Sequence, residues 1–205
     1  VFDGLDLVLA RGGKMALMGP TGAGKSTLVH LMCRFWDPDR GRILIGGTDI
    51  RKLTEERLRS AVSVVSQRAH LFSATIRDNL LLARPGAADE RLWEALSAVE
   101  LDGFVRNLPK GLDTWIGAGG RGVSGGQARR LVIARAGLHD APIWVLDETT
   151  EGLDVSTERA LFEMFFSLAA ERTLLVITHR PVMLHRFDHV AVLENGAVAA
   201  IGTAA

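Results

Sequence analysis

The sequence predicts an α/β fold: a mostly parallel sheet covered by helices, additional antiparallel β elements, and a helical insertion that interrupts the core. Three observations carry this expectation. Short, continuous apolar runs recur at residues 15–18, 43–45, 62–65, 143–146, 174–177 and 190–193, as expected of strands buried on both faces. Patterns of helical period lie between several of them. The stretch 73–138 contains no convincing buried strand and reads as helices joined by Gly-rich loops, above all 117–126. The expected division is therefore a core of about residues 1–72 and 139–205 and a helical subdomain of about residues 73–138.

Taken in order, the run 15–18 leads through glycines into a helical stretch at 26–35. Asp89 stands where it could cap a helix bearing Leu92, Trp93 and Leu96. Ser124 and Gln127 have capping-box spacing before a helix through residues 129–138. Asp154 could cap a helix whose Leu161, Met164, Phe165 and Leu168 share one face. The pair Asn195–Gly196, flanked by apolar runs at 190–193 and 198–201, reads as a hairpin turn.

Composition narrows the function classes. The 205 residues suit one domain, and a 47% hydrophobic content supplies a sizeable core. Lys plus Arg and Asp plus Glu number 24 each, so there is no net basic field of the kind that draws nucleic acid. The single cysteine, Cys33, cannot form an internal disulfide and reads as a small buried hydrophobe in a reducing compartment. No apolar run reaches the roughly 18 residues of a membrane span. With neither a signal peptide nor an initiator Met, the chain reads as a soluble α/β piece cut from something longer.

Gly19–Ser26 reads GPTGAGKS, the spacing of a phosphate-binding loop, after an apolar run and before a helix. Gly19, Pro20, Thr21, Gly22, Ala23 and Gly24 would wrap ATP phosphates with backbone N–H groups, and the helix starting through Lys25, Ser26 and Thr27 would add its positive end. Lys25 would reach the β- and γ-phosphates, and the Ser26 hydroxyl would sit on Mg²⁺. The motif marks a phosphate-loop NTPase core.

The run 143–146 ends in Asp147–Glu148, carboxylates delivered at the end of a buried strand, where α/β sheets bind ligands. Asp147 is suited to the Mg²⁺ shell. Glu148, on the opposite pleat, is suited to act as general base on a water. Alone, such a pair reads as solvated acids at a strand end; beside a phosphate loop it reads as catalytic.

Ser124–Gly125–Gly126–Gln127 places two glycines in a first helical turn, each costing about 1 kcal/mol against Ala in a helix interior. That cost makes sense where the backbone must approach a ligand. Two separate helix N-termini cannot easily grip one nucleotide in a single compact domain, so a head-to-tail dimer is expected, each subunit closing on its neighbour's nucleotide.

With these motifs in order, the chain resembles the nucleotide-binding domain of ATP-binding-cassette transporters. GPTGAGKS resembles the phosphate loop, VSGGQ at 123–127 the signature, IWVLDE at 143–148 the magnesium and catalytic strand, Gln67 the glutamine loop and His179 the switch histidine. The resemblance implies that Gln67 contacts Mg²⁺, that His179 contacts the γ-phosphate, that Asp154 belongs to the D-loop, and that Lys25, Glu148 and His179 are catalytic. Alone, His179 would read as a structural histidine.

The wording SVVSQRAHLFSATIRDNLLL at 63–82 is similar to exporter-type cassettes. DETTEGLD at 147–154 and the loop GAGGRGVSGG are similar to the CydC-type half of a bacterial heterodimeric exporter. That likeness implies export of cysteine and glutathione, a role in cytochrome bd assembly, a CydD-type partner, a transmembrane domain in the parent chain, and a place at the cytoplasmic face of the inner membrane. Haem has also been proposed as a ligand of that branch. Thr149 and Val123 depart from the usual Pro or Ala and Leu without removing a catalytic group. Ala118 stands where exporter cassettes carry a loop glutamate, and the family's adenine-stacking aromatic would lie upstream of Val1, which predicts weak ATP affinity for this piece alone. The rival readings are the nucleotide-binding domain of another exporter (lipid, peptide, drug or haem-linked), a mainly non-hydrolytic ATP switch in a heterodimer, against which Glu148, Gln67 and His179 argue, and a cassette of DNA repair or chromosome structure. The interval from Gln67 to Ser124 holds neither a heptad run nor a cysteine cluster, which disfavours the DNA-repair cassette.

Overall fold

The computed structural model describes residues 1–66 and 70–203. Its elements run β1 (Lys14–Met18), α1 (Lys25–Met32), β2 (Leu44–Ile45), β3 (Thr48–Asp49), α2 (Glu55–Ala61), β4 (Val62–Ser66), β5 (Ala74–Thr75), α3 (Ile76–Leu81), α4 (Asp89–Ser97) and α5 (Asp102–Arg106). They continue as β6 (Trp115–Ile116), α6 (Gly125–His139), β7 (Ile143–Asp147), α7 (Val155–Leu168), β8 (Thr173–Ile177), β9 (His189–Glu194) and β10 (Ala197–Gly202).

The principal sheet has the order β10-β9-β1-β8-β7-β4. Every neighbouring pair is parallel except β9–β10, so the expected mostly parallel sheet forms, with an antiparallel element at its edge. Register sets the two faces. Met15 pairs with Leu175 and Leu17 with Ile177, while Ala16 pairs with Val176, which in turn aligns Leu146 on β7. Because side chains alternate along a strand, the first set packs with Val145, Leu28, Val29, Ile50 and Leu58 in one core cluster. Burying each such Leu or Ile stabilises the fold by about 1.5–3 kcal/mol relative to exposure. All five residues of β8 are buried, which explains why its sequence has no alternation. Asn195 and Gly196 both have positive φ, +49° and +77°, as a two-residue turn between right-twisted strands requires.

Two local expectations are corrected. The run 43–45 is not a buried strand: only Leu44–Ile45 is extended, paired antiparallel with Thr48–Asp49, and Leu44 is half exposed. The intervening Gly46 and Gly47 turn the chain back too early for it to join the sheet. Asp89 is not a cap but the first residue of α4, which starts after Ala88 without a side-chain cap; its carboxylate instead pairs with Arg77.

The contacts within the chain divide it into two compact units. One comprises Val1–Gln67, Ala141–Phe162 and Ala169–Ala205, and holds the principal sheet. The other comprises Arg68–Asp140 and Glu163–Leu168. In the second, Leu92, Leu96, Ile116 and Leu131 are fully buried, and Arg77 reaches both Asp89 and Asp113. That unit also carries the two-residue antiparallel pair β5–β6, too short to leave a strand signal in the sequence.

Candidate functional site

The site lies where β1, β7 and β8 end. After β1 the chain forms the Gly19–Gly24 loop and enters α1 at Gly24, whose φ of +102° is left-handed and whose position offers no side-chain cap. A Cβ at Gly24 would meet the Phe2 ring at 2.8 Å, so both backbone shape and space call for glycine. The first N–H groups of α1 thus carry no side-chain acceptor from the cap position, which is the arrangement that binds phosphate. Thr21, Gly22 and Ser26 are exposed, while Ala23 is buried. Lys25 is 6% exposed, folded back so that Nζ donates to the carbonyls of Gly19 at 2.9 Å and Pro20 at 3.0 Å.

β7 brings the acids. Asp147 is its last residue, aligned with Ile177 of β8. Its Oδ1 is buried without a hydrogen-bond partner, and burial, then the charge of Glu148, push its carboxyl above the ordinary range. Glu148 does not continue the pleat, as the sequence reading supposed. Its φ of +50° takes it out of the strand, a left-handed conformation that non-glycine residues adopt rarely and at a cost of about 1–3 kcal/mol. Its N–H still donates to Ile177 at 2.9 Å, so the turn begins one residue past the ladder. From there Glu148 Oε1 lies 3.5 Å from Lys25 Nζ and 4.0 Å from His179 Nδ1.

His179 follows β8 on an exposed loop, between buried Thr178 and half-buried Arg180. Lys25, Glu148 and His179, far apart in sequence, are thus one cluster. Asp154 caps α7, accepting from the Ser156 hydroxyl and from the Thr157 N–H at 3.0 Å; those hydrogen bonds hold its carboxyl well below the usual range. In the other unit Ser124 closes the expected capping box on α6: its Oγ accepts from Gln127 N–H at 3.2 Å, and Gln127 Oε1 accepts from Ser124 N–H at 3.0 Å. A Cβ at Gly125 or Gly126 would meet nothing within 4 Å, so packing within the chain places no demand for glycine there. Gln67 lies outside the described residues.

Asp147 also tests the metal. A buried carboxylate oxygen with no donor, beside a second carboxylate, lacks what a divalent cation supplies. Oxygen ligands from Asp147 and the Ser26 hydroxyl, on an α1 that packs against β7, are the hard donors Mg²⁺ takes, and the residues fit it.

The sequence reading missed three residues behind the cluster. Glu158, fully buried on α7, accepts from Thr150 Oγ1 at 2.7 Å and pairs with Arg180 Nη1 at 2.7 Å. A signal was present for Glu158 alone: residues 158, 161 and 162 fall on one helical stripe, and a carboxylate among apolar residues needs a reason, but nothing in the sequence pointed to Thr150 or Arg180 as its partners.

A family profile described as ABC transporter matches residues 2–151. The chain belongs to the ABC transporter family. Its relatives include the glutathione/L-cysteine transport system ATP-binding/permease protein CydC of Escherichia coli K12, 49% identical over 200 residues, covering 98% of this chain and 35% of that protein. The putative multidrug export ATP-binding/permease protein YgaD of Bacillus subtilis 168 is 41% identical over 203 residues, covering 99% and 35%. A solved structure of a bacterial Atm1-family ABC exporter with ATP bound matches with a TM-score of 0.90 at 38% identity, covering 98% of this chain and 35% of that one. The chain therefore spans about a third of the length of these relatives. It is an ATP-binding domain of that family, whose members are ATPases coupled to transport. Among the described residues no helix is long and apolar enough to cross a membrane.

Proposed function

We propose that this chain is the ATP-hydrolysing motor of a CydC-type exporter half, joined in its parent to a transmembrane domain and paired head to tail with a different, CydD-type subunit. The observation that carries the catalytic reading is the convergence of Lys25, Glu148 and His179 within 4.0 Å steps of one another. In this reading the Gly19–Thr27 segment binds the ATP phosphates, with Lys25 on the β- and γ-phosphates. Ser26, Asp147 and Gln67 hold Mg²⁺, which when bound neutralises charge developing on the phosphate oxygens.

Glu148 takes a proton from the attacking water, and its left-handed backbone turns the carboxylate from the strand end towards Lys25 and His179. Lys25 and His179 stabilise the charge on the transferring phosphoryl group. Ser124–Gly125–Gly126–Gln127 serves the partner's ATP. Gly125 and Gly126 are exposed, and packing within the chain calls for glycine at neither, which leaves their backbone open to a ligand's approach. Asp154, at the start of α7, belongs to the facing D-loop.

The substrate reading, cysteine or glutathione moved across the bacterial inner membrane from its cytoplasmic face in support of cytochrome bd assembly, draws on the relative named for that transport. Its test is ATP hydrolysis by the full-length parent with its partner in lipid, with glutathione, cysteine and haem added separately and Glu148→Gln as control. Stimulation by a thiol that the substitution abolishes is the expected result. No response to any of the three overturns the substrate and leaves the motor; unchanged turnover in Glu148→Gln assigns hydrolysis to the partner's site.

A further inference from the structure

His179 has no short hydrogen bond to its ring among the described residues; its approach to Glu148 is 4.0 Å and its side chain is 48% exposed. Where the imidazole points therefore depends on the backbone on either side of it. Thr178 N–H donates to Leu17 at 3.1 Å, which anchors the loop to β1. Thr178 Oγ1 accepts from Arg180 N–H at 3.1 Å, closing a small turn around the histidine. Past that turn the Arg180 side chain reaches back into the protein, where Nη1 donates to the Leu153 carbonyl at 3.0 Å and meets Glu158 at 2.7 Å.

The other half of this network hangs from Glu148. Glu151 N–H donates to the Glu148 carbonyl at 3.1 Å and Leu153 N–H to that of Thr150 at 3.2 Å, so residues 148–154 form successive turns. Thr150, itself buried, donates to Glu158 Oε1 at 2.7 Å. One buried carboxylate thus accepts a hydrogen bond from the segment that carries Glu148 and forms an ion pair with the segment that carries His179. Glu158 neighbours apolar Leu161 and Phe162 on its helix face, and an apolar side chain there would need no partner. A buried ion pair is weak evidence for stability, because hydrophobic replacement is often neutral or better. What the pair adds is a fixed relation between two loops.

We infer that Glu158 and Arg180 are positioning residues, with Thr150 as their third member, holding the Glu148 turn and the His179 turn as one unit so that general base and switch histidine face the same phosphate. This deepens the proposed function and rests on it for the catalytic consequence, but the coupling of the two loops is testable without any turnover.

The experiment compares the full-length parent with its partner as wild type, Glu158→Gln, Arg180→Met, Arg180→Lys and Thr150→Val, by hydrogen exchange and by steady-state ATP hydrolysis. In Glu158→Gln and Arg180→Met the amides of Glu148, Glu151 and Leu153 and those of Thr178 and Arg180 should exchange faster together, by about tenfold, with β1 and β8 unchanged. The kcat should fall by about tenfold or more while KM for ATP shifts less than about threefold, because the phosphate loop is untouched. Arg180→Lys, which keeps a donor and the charge, should recover most of kcat. Thr150→Val, which leaves the ion pair in place, gives the same pattern on a smaller scale should the stronger variants fold poorly. Exchange that rises in one segment alone, unchanged kcat, or kcat and KM changing in parallel overturns the inference. A wild-type assembly that hydrolyses no ATP overturns the functional reading instead, and the exchange data still decide the coupling.

Discussion

At Asp147, burial and the neighbouring Glu148 charge both disfavour the ionised carboxylate. A carboxyl held above its ordinary value stabilises the fold fully at pH below that value and loses the contribution as pH rises through the raised one. The nucleotide-free domain should therefore lose stability across that window, and Asp147→Asn should remove the slope and raise the melting temperature at neutral pH. The same substitution should erase the additional stabilisation that Mg²⁺ gives to the ATP-bound protein. Thermal melts across pH, with and without Mg²⁺ and ATP, check both; a variant that melts below wild type when nucleotide-free contradicts the account. Lys25 adds a second prediction. Its Nζ is tied to two loop carbonyls and faces Glu148, so Lys25→Ala should weaken ATP binding itself, read by titration calorimetry, whereas Glu148→Gln should leave binding intact and lower turnover by about 10²–10⁴-fold.

At the scale of elements, α6 begins with glycines that its own surroundings do not require. Gly126→Ala should add up to about 1 kcal/mol of helix stability, a rise of about 2–4 °C in Tm for a domain of this size. Turnover of the assembled transporter should nonetheless fall, because in the proposed head-to-tail pair the methyl group would intrude where the partner's nucleotide comes close. A melt that rises while activity is lost is the expected pair of results; full activity contradicts the reading of Ser124–Gln127.

Elements were legible in the sequence where one physical rule governed them. Continuous apolar runs gave β1, β4, β7, β8 and β9; β8, buried along its whole length, leaves no alternation because a parallel sheet is covered on both faces, whereas the burial of β9 alternates beside its antiparallel partner β10. Ser124 and Gln127 gave the cap of α6 because their spacing allows one reciprocal geometry. The run at 43–45 misled because hydrophobicity alone does not say when glycines turn a chain back. Asp89 misled because a tertiary partner, Arg77, took its carboxylate from the helix end. At the site, the motif residues could be read from spacing, while the Glu158–Arg180 pair could not: its partners stand on two loops and a helix that only the fold brings together.

For the whole molecule, a chain spanning about a third of its relatives is proposed to be one nucleotide-binding domain, a core of about residues 1–72 and 139–205 with a helical subdomain of about 73–138. In the proposed function the signature of that subdomain serves the partner's nucleotide. Ser124→Arg in this chain should then silence the partner's site and spare nucleotide binding at Lys25, as site-resolved labelling with a photoreactive ATP analogue would report; loss of labelling on this chain contradicts the head-to-tail arrangement.

The central claim is that the site built from Lys25, Glu148 and His179 cleaves ATP. It is tested most directly by a single-turnover measurement on the full-length pair, carrying Glu148→Gln in this chain and loaded with γ-labelled ATP and Mg²⁺. The account predicts that ATP bound at this chain's site persists uncleaved while the wild-type pair releases phosphate from it. Release of phosphate from that site at the wild-type rate would contradict the account.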